Sequence, residues 1–204
     1  MQTSVNDGDN LRRLRHVLWA MTVILGISLI TNLVLAYRIR KANVALANVP
    51  TLPSPPPALP VGTSVQPLKV NSLEGRQEVI SYADSQVPIV LYVFTPECAW
   101  CTRNLDNIKS LASQKQGAYR FIALSLANNG VKEYATQSRL DLPIFIGLSE
   151  EARQEYKLGT TPQTIVVSPE GKILQNWIGA YVGRQQAEIE SFFGVHLPGI
   201  TRGN

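Results

Sequence analysis

Phe94-Thr95-Pro96-Glu97-Cys98-Ala99-Trp100-Cys101 holds both cysteines of the chain with two residues between them. Behind it, residues 87–94 form an apolar run rich in β-branched side chains. Ahead of it, Leu105, Ile108 and Leu111 recur at helical spacing. The pattern predicts a strand that runs into a helix with Cys98 at the helix start. There the unpaired N–H groups and partial positive charge of the helix N-terminus favour a thiolate over a thiol, so Cys98 is the expected nucleophile. Cys101, one turn further on, is placed to attack a mixed disulfide at Cys98 and release the partner.

Other chemistries compete for the same residues. A static disulfide would close a very short loop and constrain the unfolded chain little. Zinc normally takes four ligands, and the two histidines, His16 and His196, stand at opposite ends of the sequence. Two cysteines can also be small core residues. A CxxC on a strand-to-helix turn favours the redox reading.

A second stretch supports it. Gly159-Thr160-Thr161-Pro162-Gln163-Thr164-Ile165-Val166-Val167 sets a proline just before a β-branched strand, followed by the turn Ser168-Pro169-Glu170-Gly171 and a further strand at 172–178. Together with the CxxC this resembles the thioredoxin fold, in which the matching proline is cis and lies against the active-site disulfide. The resemblance implies that Thr161 and Pro162 sit beside Cys98 and offer backbone to an extended substrate segment. Without the CxxC, Pro162 would read as an ordinary loop proline.

The 204 residues allow one domain of ordinary size and something more, and the net charge of +4 is modest. Much of the basic character flanks the first apolar segment, in Arg12, Arg13 and Arg15 on one side and Arg38, Arg40 and Lys41 on the other. With no basic stripe and no interleaved aromatics, nucleic-acid binding is not expected.

Residues 1–16 read as a short polar tail. Residues 17–37 carry no charge and would span about 30 Å as a helix, the thickness of a bilayer core, so a single transmembrane helix is predicted. Thr22, Ser28, Thr31 and Asn32 are tolerable inside it because such side chains bond back to the helix or face a partner, and Trp19 and Tyr37 lie near the interfaces. Arg38, Arg40 and Lys41 separate the run from the small-residue triplet Ala45-Leu46-Ala47, which favours an uncleaved anchor over a signal peptide. The basic residues on the two sides balance, so charge alone does not set the orientation.

Residues 38–63 read as a proline-rich linker. Pro50, Pro53, Pro55, Pro56, Pro57 and Pro60 make an extended, semi-rigid spacer the expectation. A globular domain is expected over 64–204. Its candidate strands are 65–71 and 77–82, joined by the turn Ser72-Leu73-Glu74-Gly75, then 119–126 and 143–147. Its candidate helices, besides the one after the CxxC, are 131–139, one opening at Ser149-Glu150-Glu151, and 182–193 with Ile189, Phe192 and Phe193 on its inner face. The order gives an α/β fold with a mixed sheet covered on both faces.

An anchor helix, a proline-rich stalk, an N-terminal hairpin and a helix–strand–helix insertion between Ala127 and Leu158 resemble the membrane-anchored TlpA/ResA family of thiol–disulfide oxidoreductases. The anchors of the resemblance are Cys98-Ala99-Trp100-Cys101, Thr161-Pro162 and the Ser168-Pro169-Glu170-Gly171-Lys172 turn. The resemblance implies a thioredoxin-like domain outside the bacterial inner membrane, with a cytoplasmic N-terminus and a single pass. Its partners would be protein thiols and disulfides and a membrane electron-donor thiol protein, often in cytochrome c maturation. No metal or organic cofactor is expected.

The chain departs from that pattern at three places. Thioredoxins carry a buried Asp on the strand before the motif, and the matching residue is Tyr92. Many family members have an acidic residue early in the CxxC helix, where Asn104 stands. Glu97 is then the carboxylate nearest Cys98 in sequence, either a base, a like-charge neighbour that raises the Cys98 pKa, or a solvated bystander. The Ala99-Trp100 dipeptide replaces the common Gly-Pro, and Trp100 offers a flat apolar surface beside Cys98 for partner docking.

Two other functions compete. A peroxiredoxin-like thiol peroxidase would account for Thr95, three residues before Cys98, but the proline of that family's motif is matched by Leu91. A copper-binding assembly factor of the same fold would need a histidine that neither His16 nor His196 is well placed to supply.

Overall fold

The strand β3 (Ile89–Phe94) is buried along its whole length, and the rest of the globular unit is arranged about it. Successive side chains of a strand point to opposite faces. Val90, Tyr92 and Phe94 therefore enter one apolar layer, while Ile89, Leu91 and Val93 enter the other. A strand covered on both sides needs an uninterrupted apolar run, as residues 89–94 supply.

The computed structural model describes residues 6–47 and 58–200. The start of the expected N-terminal tail, residues 48–57 of the proline-rich spacer and the last four residues lie outside the described residues. The chain divides into two compact units, Met1–Ser54 and Pro55–Asn204.

Among the described residues, the first unit is the helix α1 (Asn6–Ala47). Its Arg15–Lys41 portion is long and apolar enough to be a candidate membrane span. Thr22 Oγ1 donates to the Trp19 carbonyl at 2.8 Å, Thr31 Oγ1 to the Ile27 carbonyl at 2.9 Å, and Asn32 Nδ2 to the Ser28 carbonyl at 2.9 Å. Thr22, Thr31 and Asn32 are thus satisfied within the helix by bonds back to its own backbone. The helix overruns the expected 17–37 at both ends. Residues 6–16 and 38–47 contain no proline, and Arg, Lys, Leu and Ala there are good helix formers. The tail and the linker expected at 1–16 and 38–63 are helical in those parts.

In the second unit a hairpin of β1 (Leu68–Ser72) and β2 (Gln77–Ile80) precedes β3. Then come α2 (Ala99–Arg103), α3 (Leu105–Gln114), β4 (Arg120–Ser125), α4 (Val131–Ser138), β5 (Ile144–Ile146) and α5 (Glu150–Glu155). β6 (Gln163–Val167), β7 (Ile173–Ile178) and α6 (Gly183–Phe193) close the unit. The seven strands form one sheet in the order β2-β1-β5-β4-β3-β6-β7. β3, β4 and β5 are mutually parallel, and β1, β6 and β7 pair antiparallel, which is the mixed sheet expected. The inserted strand β5 is what seats the hairpin, since β1 pairs with it from Asn71 and Ser72.

α2, α3, α4 and α6 cover the face that receives Val90, Tyr92 and Phe94, through Cys101, Ile108, Leu111, Val131, Ile189 and Phe193. Fully burying a side chain such as Ile108 stabilises by about 1.5–3 kcal/mol. On the other face lie Tyr156, Leu158 and the incoming segment. There Leu59 is 6% exposed, Gly62 N–H donates to the Ile173 carbonyl at 2.7 Å and Val65 N–H to the Gly171 carbonyl at 2.8 Å. Residues 59–63, expected in the linker, therefore belong to the fold. Gly171 has φ +72° and sits so close to the Val65 carbonyl that an added Cβ would lie 3.0 Å from it, so the turn needs glycine there.

Candidate functional site

At the C-terminal end of β3 the chain turns through Thr95-Pro96-Glu97 into α2. Cys98 is the N-cap residue, and its Sγ accepts the Cys101 N–H at 3.0 Å. Cys98 N–H donates to the Thr95 carbonyl at 3.2 Å, which fixes the entry to the helix. The two cysteines form a disulfide with Cα atoms 5.2 Å apart. Its halves differ: Cys98 is partly exposed, whereas Cys101 is completely buried. A partner sulfur can reach Cys98, and Cys101 is held behind it.

Pro162 lies at the start of β6, joined to Thr161 by a cis peptide bond. β6 pairs antiparallel with β3, Val93 opposite Gln163, so extending the register sets Pro162 across from Phe94. The proline and the turn into the CxxC thus lie at the same end of two neighbouring strands, β6 and β3. Thr161 is half-buried and Pro162 buried, and the Pro162 carbonyl accepts the Gly179 N–H at 2.7 Å.

The helix expected as one piece after the CxxC is broken at Asn104. That residue's N–H is shared between the carbonyls of Trp100 and Cys101, at 3.1 and 3.2 Å. Its side chain turns inward, where Oδ1 accepts the Tyr181 N–H and the Asn107 Nδ2, each at 3.0 Å. Asparagine competes for backbone groups in this way, and the helix divides into α2 and α3.

Tyr92, at the position of the thioredoxin Asp, lies beneath the disulfide, fully buried, with its hydroxyl donating to the Cys101 carbonyl at 3.4 Å. Burial first, and the nearby phenols of Tyr181 and Tyr134 second, push its pKa well above the usual phenol value, against a lowering by the Asn104 side chain. Tyr181, also raised by burial, shares a 2.7 Å hydroxyl–hydroxyl bond with Thr164, which is paired across the sheet with Tyr92. Tyr134 stacks on Phe94 with ring centroids 5.2 Å apart. Thr164, Tyr181, Asn107 and Tyr134 join this layer without any signal in the sequence, except that Thr164 falls two residues after Pro162 and so on the Tyr92 face.

Glu97 is exposed beside Cys98. Trp100 is 49% exposed, and the Arg103 guanidinium lies over its ring at 4.5 Å. Leu91 sits in the middle of β3 on the opposite face from Tyr92, and Thr95 is half-buried. His196 is exposed and pairs with Glu190 at 3.5 Å. Among the described residues, no three His, Cys, Asp or Glu side chains are grouped as metal ligands.

Fold and disulfide together define a thioredoxin-like protein with a CxxC pair at the end of the central strand. Residues 61–176 match the AhpC/TSA family, and the chain belongs to that family. Comparison with curated proteins gives no match. Among solved structures, the thioredoxin domain of a thiol-disulfide oxidoreductase from Bacteroides vulgatus is similar at 17% identity and TM-score 0.54, over 67% of this chain and 99% of that one. A putative thiol:disulfide interchange protein DsbE from Chlorobium tepidum shares 12% identity at TM-score 0.58, over 67% and 98%. StoA from Bacillus subtilis shares 20% at TM-score 0.50, over 66% and 99%. At these identities the likeness is one of fold.

Proposed function

We propose that this protein is a membrane-tethered thiol–disulfide oxidoreductase of the TlpA/ResA type, in which Cys98 attacks and Cys101 resolves. The observation that carries the reading is the disulfide itself, with one sulfur open to a partner and the other sealed behind it at the end of β3. In the reducing direction the Cys98 thiolate attacks a protein disulfide and expels one substrate sulfur as a thiolate. Cys101 then attacks Cys98, the second substrate sulfur leaves, and two electrons have passed from the cysteine pair to the substrate. A donor thiol protein restores the dithiol by the same exchange in reverse. Thr161 and Pro162 shape the groove for an extended substrate segment, and Trp100 forms its rim.

The candidate span in α1 supports tethering, and the same reading places the domain outside the bacterial inner membrane with the N-terminus inside. Protein disulfides, including those met in cytochrome c maturation, are the proposed substrates. The structural neighbours named as thiol–disulfide oxidoreductases support this class of reaction.

The test is Cys101→Ser in the full-length protein in its native membrane. The substitution removes the resolving sulfur, so mixed disulfides with true partners accumulate on Cys98 and are released by reductant. Absence of Cys98-dependent adducts would sink the reading. Because Thr95 also stands three residues before Cys98, peroxide consumption by the reduced wild-type protein is measured alongside. Fast turnover with peroxide and none with protein disulfides would make it a thiol peroxidase.

A further inference from the structure

The layer under the disulfide is built from hydroxyls and amides. Among the described residues, the completely buried polar side chains are Asn104, Asn107, Ser125, Gln163 and Thr164, with no carboxylate among them. Of these, Asn104, Asn107 and Thr164 lie on the Tyr92 side of the sheet, where the phenols of Tyr92 and Tyr181 join them, whereas Gln163 pairs with Val93 and points to the opposite face. Tyr92 donates to the Cys101 carbonyl, and Asn104 lies against the Tyr92 hydroxyl. The two donors on Asn104 Oδ1 fix the orientation of its amide and turn Nδ2 toward the Tyr92 hydroxyl. Asn104 and Cys101 are three residues apart on one helical face, so this amide packs under the resolving cysteine.

The titratable groups facing Cys101 and Tyr92 are Tyr134 from α4, Tyr181 from the segment after β7, and Cys98 itself. β6 contributes Thr164, which does not titrate. Glu97 and Arg103 stand at the rim. A buried phenol held protonated accepts no proton at neutral pH.

We propose that the resolving step in this protein runs without an internal carboxylate base, with Tyr92 and Asn104 acting as positioning residues that hold Cys101 in place. The Cys101 thiol gives its proton to solvent and its thiolate attacks Cys98 Sγ. The Cys98–Cys101 bond forms, and the bond from Cys98 to the partner sulfur breaks with its electron pair on that sulfur, which takes up a proton. This inference rests on the exchange reading of the cysteine pair.

The experiment follows resolution of a mixed disulfide between Cys98 and 2-mercaptoethanol in the full-length protein. The adduct is formed at low pH and released by a jump to a series of higher pH values. The expected rate rises about tenfold per pH unit with the thiolate fraction of Cys101, in a single step. Tyr92→Phe keeps that single step. Asn104→Asp installs a carboxylate, adds a second ionisation at lower pH and speeds resolution severalfold below neutral. A second, lower ionisation already present in the wild type would overturn the inference; its loss in Glu97→Gln would identify Glu97 as the base, and its loss in Tyr92→Phe would identify Tyr92. The wild-type profile alone carries the test where Asn104→Asp fails to fold. An adduct that forms and never resolves at any pH would instead overturn the exchange reading, and the inference with it.

Discussion

The backbone N–H of Cys101 donates to the Sγ of Cys98 across 3.0 Å, so the sulfur that faces solvent is also the one that receives a helix-end donor. A hydrogen bond to the charged form of a group favours that form. On the proposed roles, Cys98 should be the first of the two to react as a thiolate in the reduced protein, with Cys101, completely buried, the slower one. Limited alkylation with iodoacetamide, read by mass spectrometry of the peptides over a pH series, should label Cys98 first and at lower pH than a free cysteine, which ionises near about 8.5. Labelling of Cys101 first would reverse the proposed roles.

Trp100 supplies exposed apolar surface at the rim, with Arg103 stacked over its ring. It contributes little to the core, so Trp100→Ala should change stability by no more than about 0.5 kcal/mol. Exchange with protein disulfides should slow severalfold, while reaction with a small-molecule disulfide stays close to wild type. Equal slowing with both substrates would mean that Trp100 acts on the cysteines and not on docking.

The order of strands and helices was legible because each element carried its own signal: the apolar run of β3, the helical spacing of Leu105, Ile108 and Leu111, and the Ser168-Pro169-Glu170-Gly171 turn. The position of Cys98 at the helix start followed from the same pattern. The limits of α1 were less legible, because no proline or glycine marks its ends within the apolar reading. The break at Asn104 was hidden because it depends on a tertiary bond to the Tyr181 N–H, 77 positions away in sequence. The company of Tyr92 was hidden for the same reason, since Thr164 and Tyr181 reach it through sheet register and a loop, and neither is adjacent in sequence.

The Thr164–Tyr181 hydroxyl pair is completely buried, which gives it a measurable weight. Tyr181→Phe keeps the ring and leaves the Thr164 hydroxyl without its partner. A buried group orphaned in this way costs about 1–3 kcal/mol. Denaturant unfolding of the full-length protein in detergent should show a lower midpoint with an unchanged slope. A midpoint equal to wild type would show that Thr164 finds another acceptor, and that the pair adds nothing to stability.

Tyr82, Tyr92, Tyr156 and Tyr181 are all raised above the usual phenol value, and in each the largest cause is burial, which disfavours the phenolate. Tyr82 and Tyr156 additionally share a 2.6 Å hydroxyl contact on the other face of the sheet. The sign follows from proton counting. Below about pH 10 both folded and unfolded chains keep these phenols protonated, and stability does not depend on them. Above it the unfolded chain loses the protons and the folded chain keeps them, so stability falls as pH rises from about 10 toward the raised folded values. Phenolate absorbance and circular dichroism recorded together during an alkaline titration should therefore show an early exposed-tyrosine phase with no loss of structure. The buried tyrosines should ionise only in a later phase that coincides with unfolding. Full ionisation of every tyrosine while the circular dichroism remains native would contradict the buried, protonated state on which the layer beneath the disulfide depends.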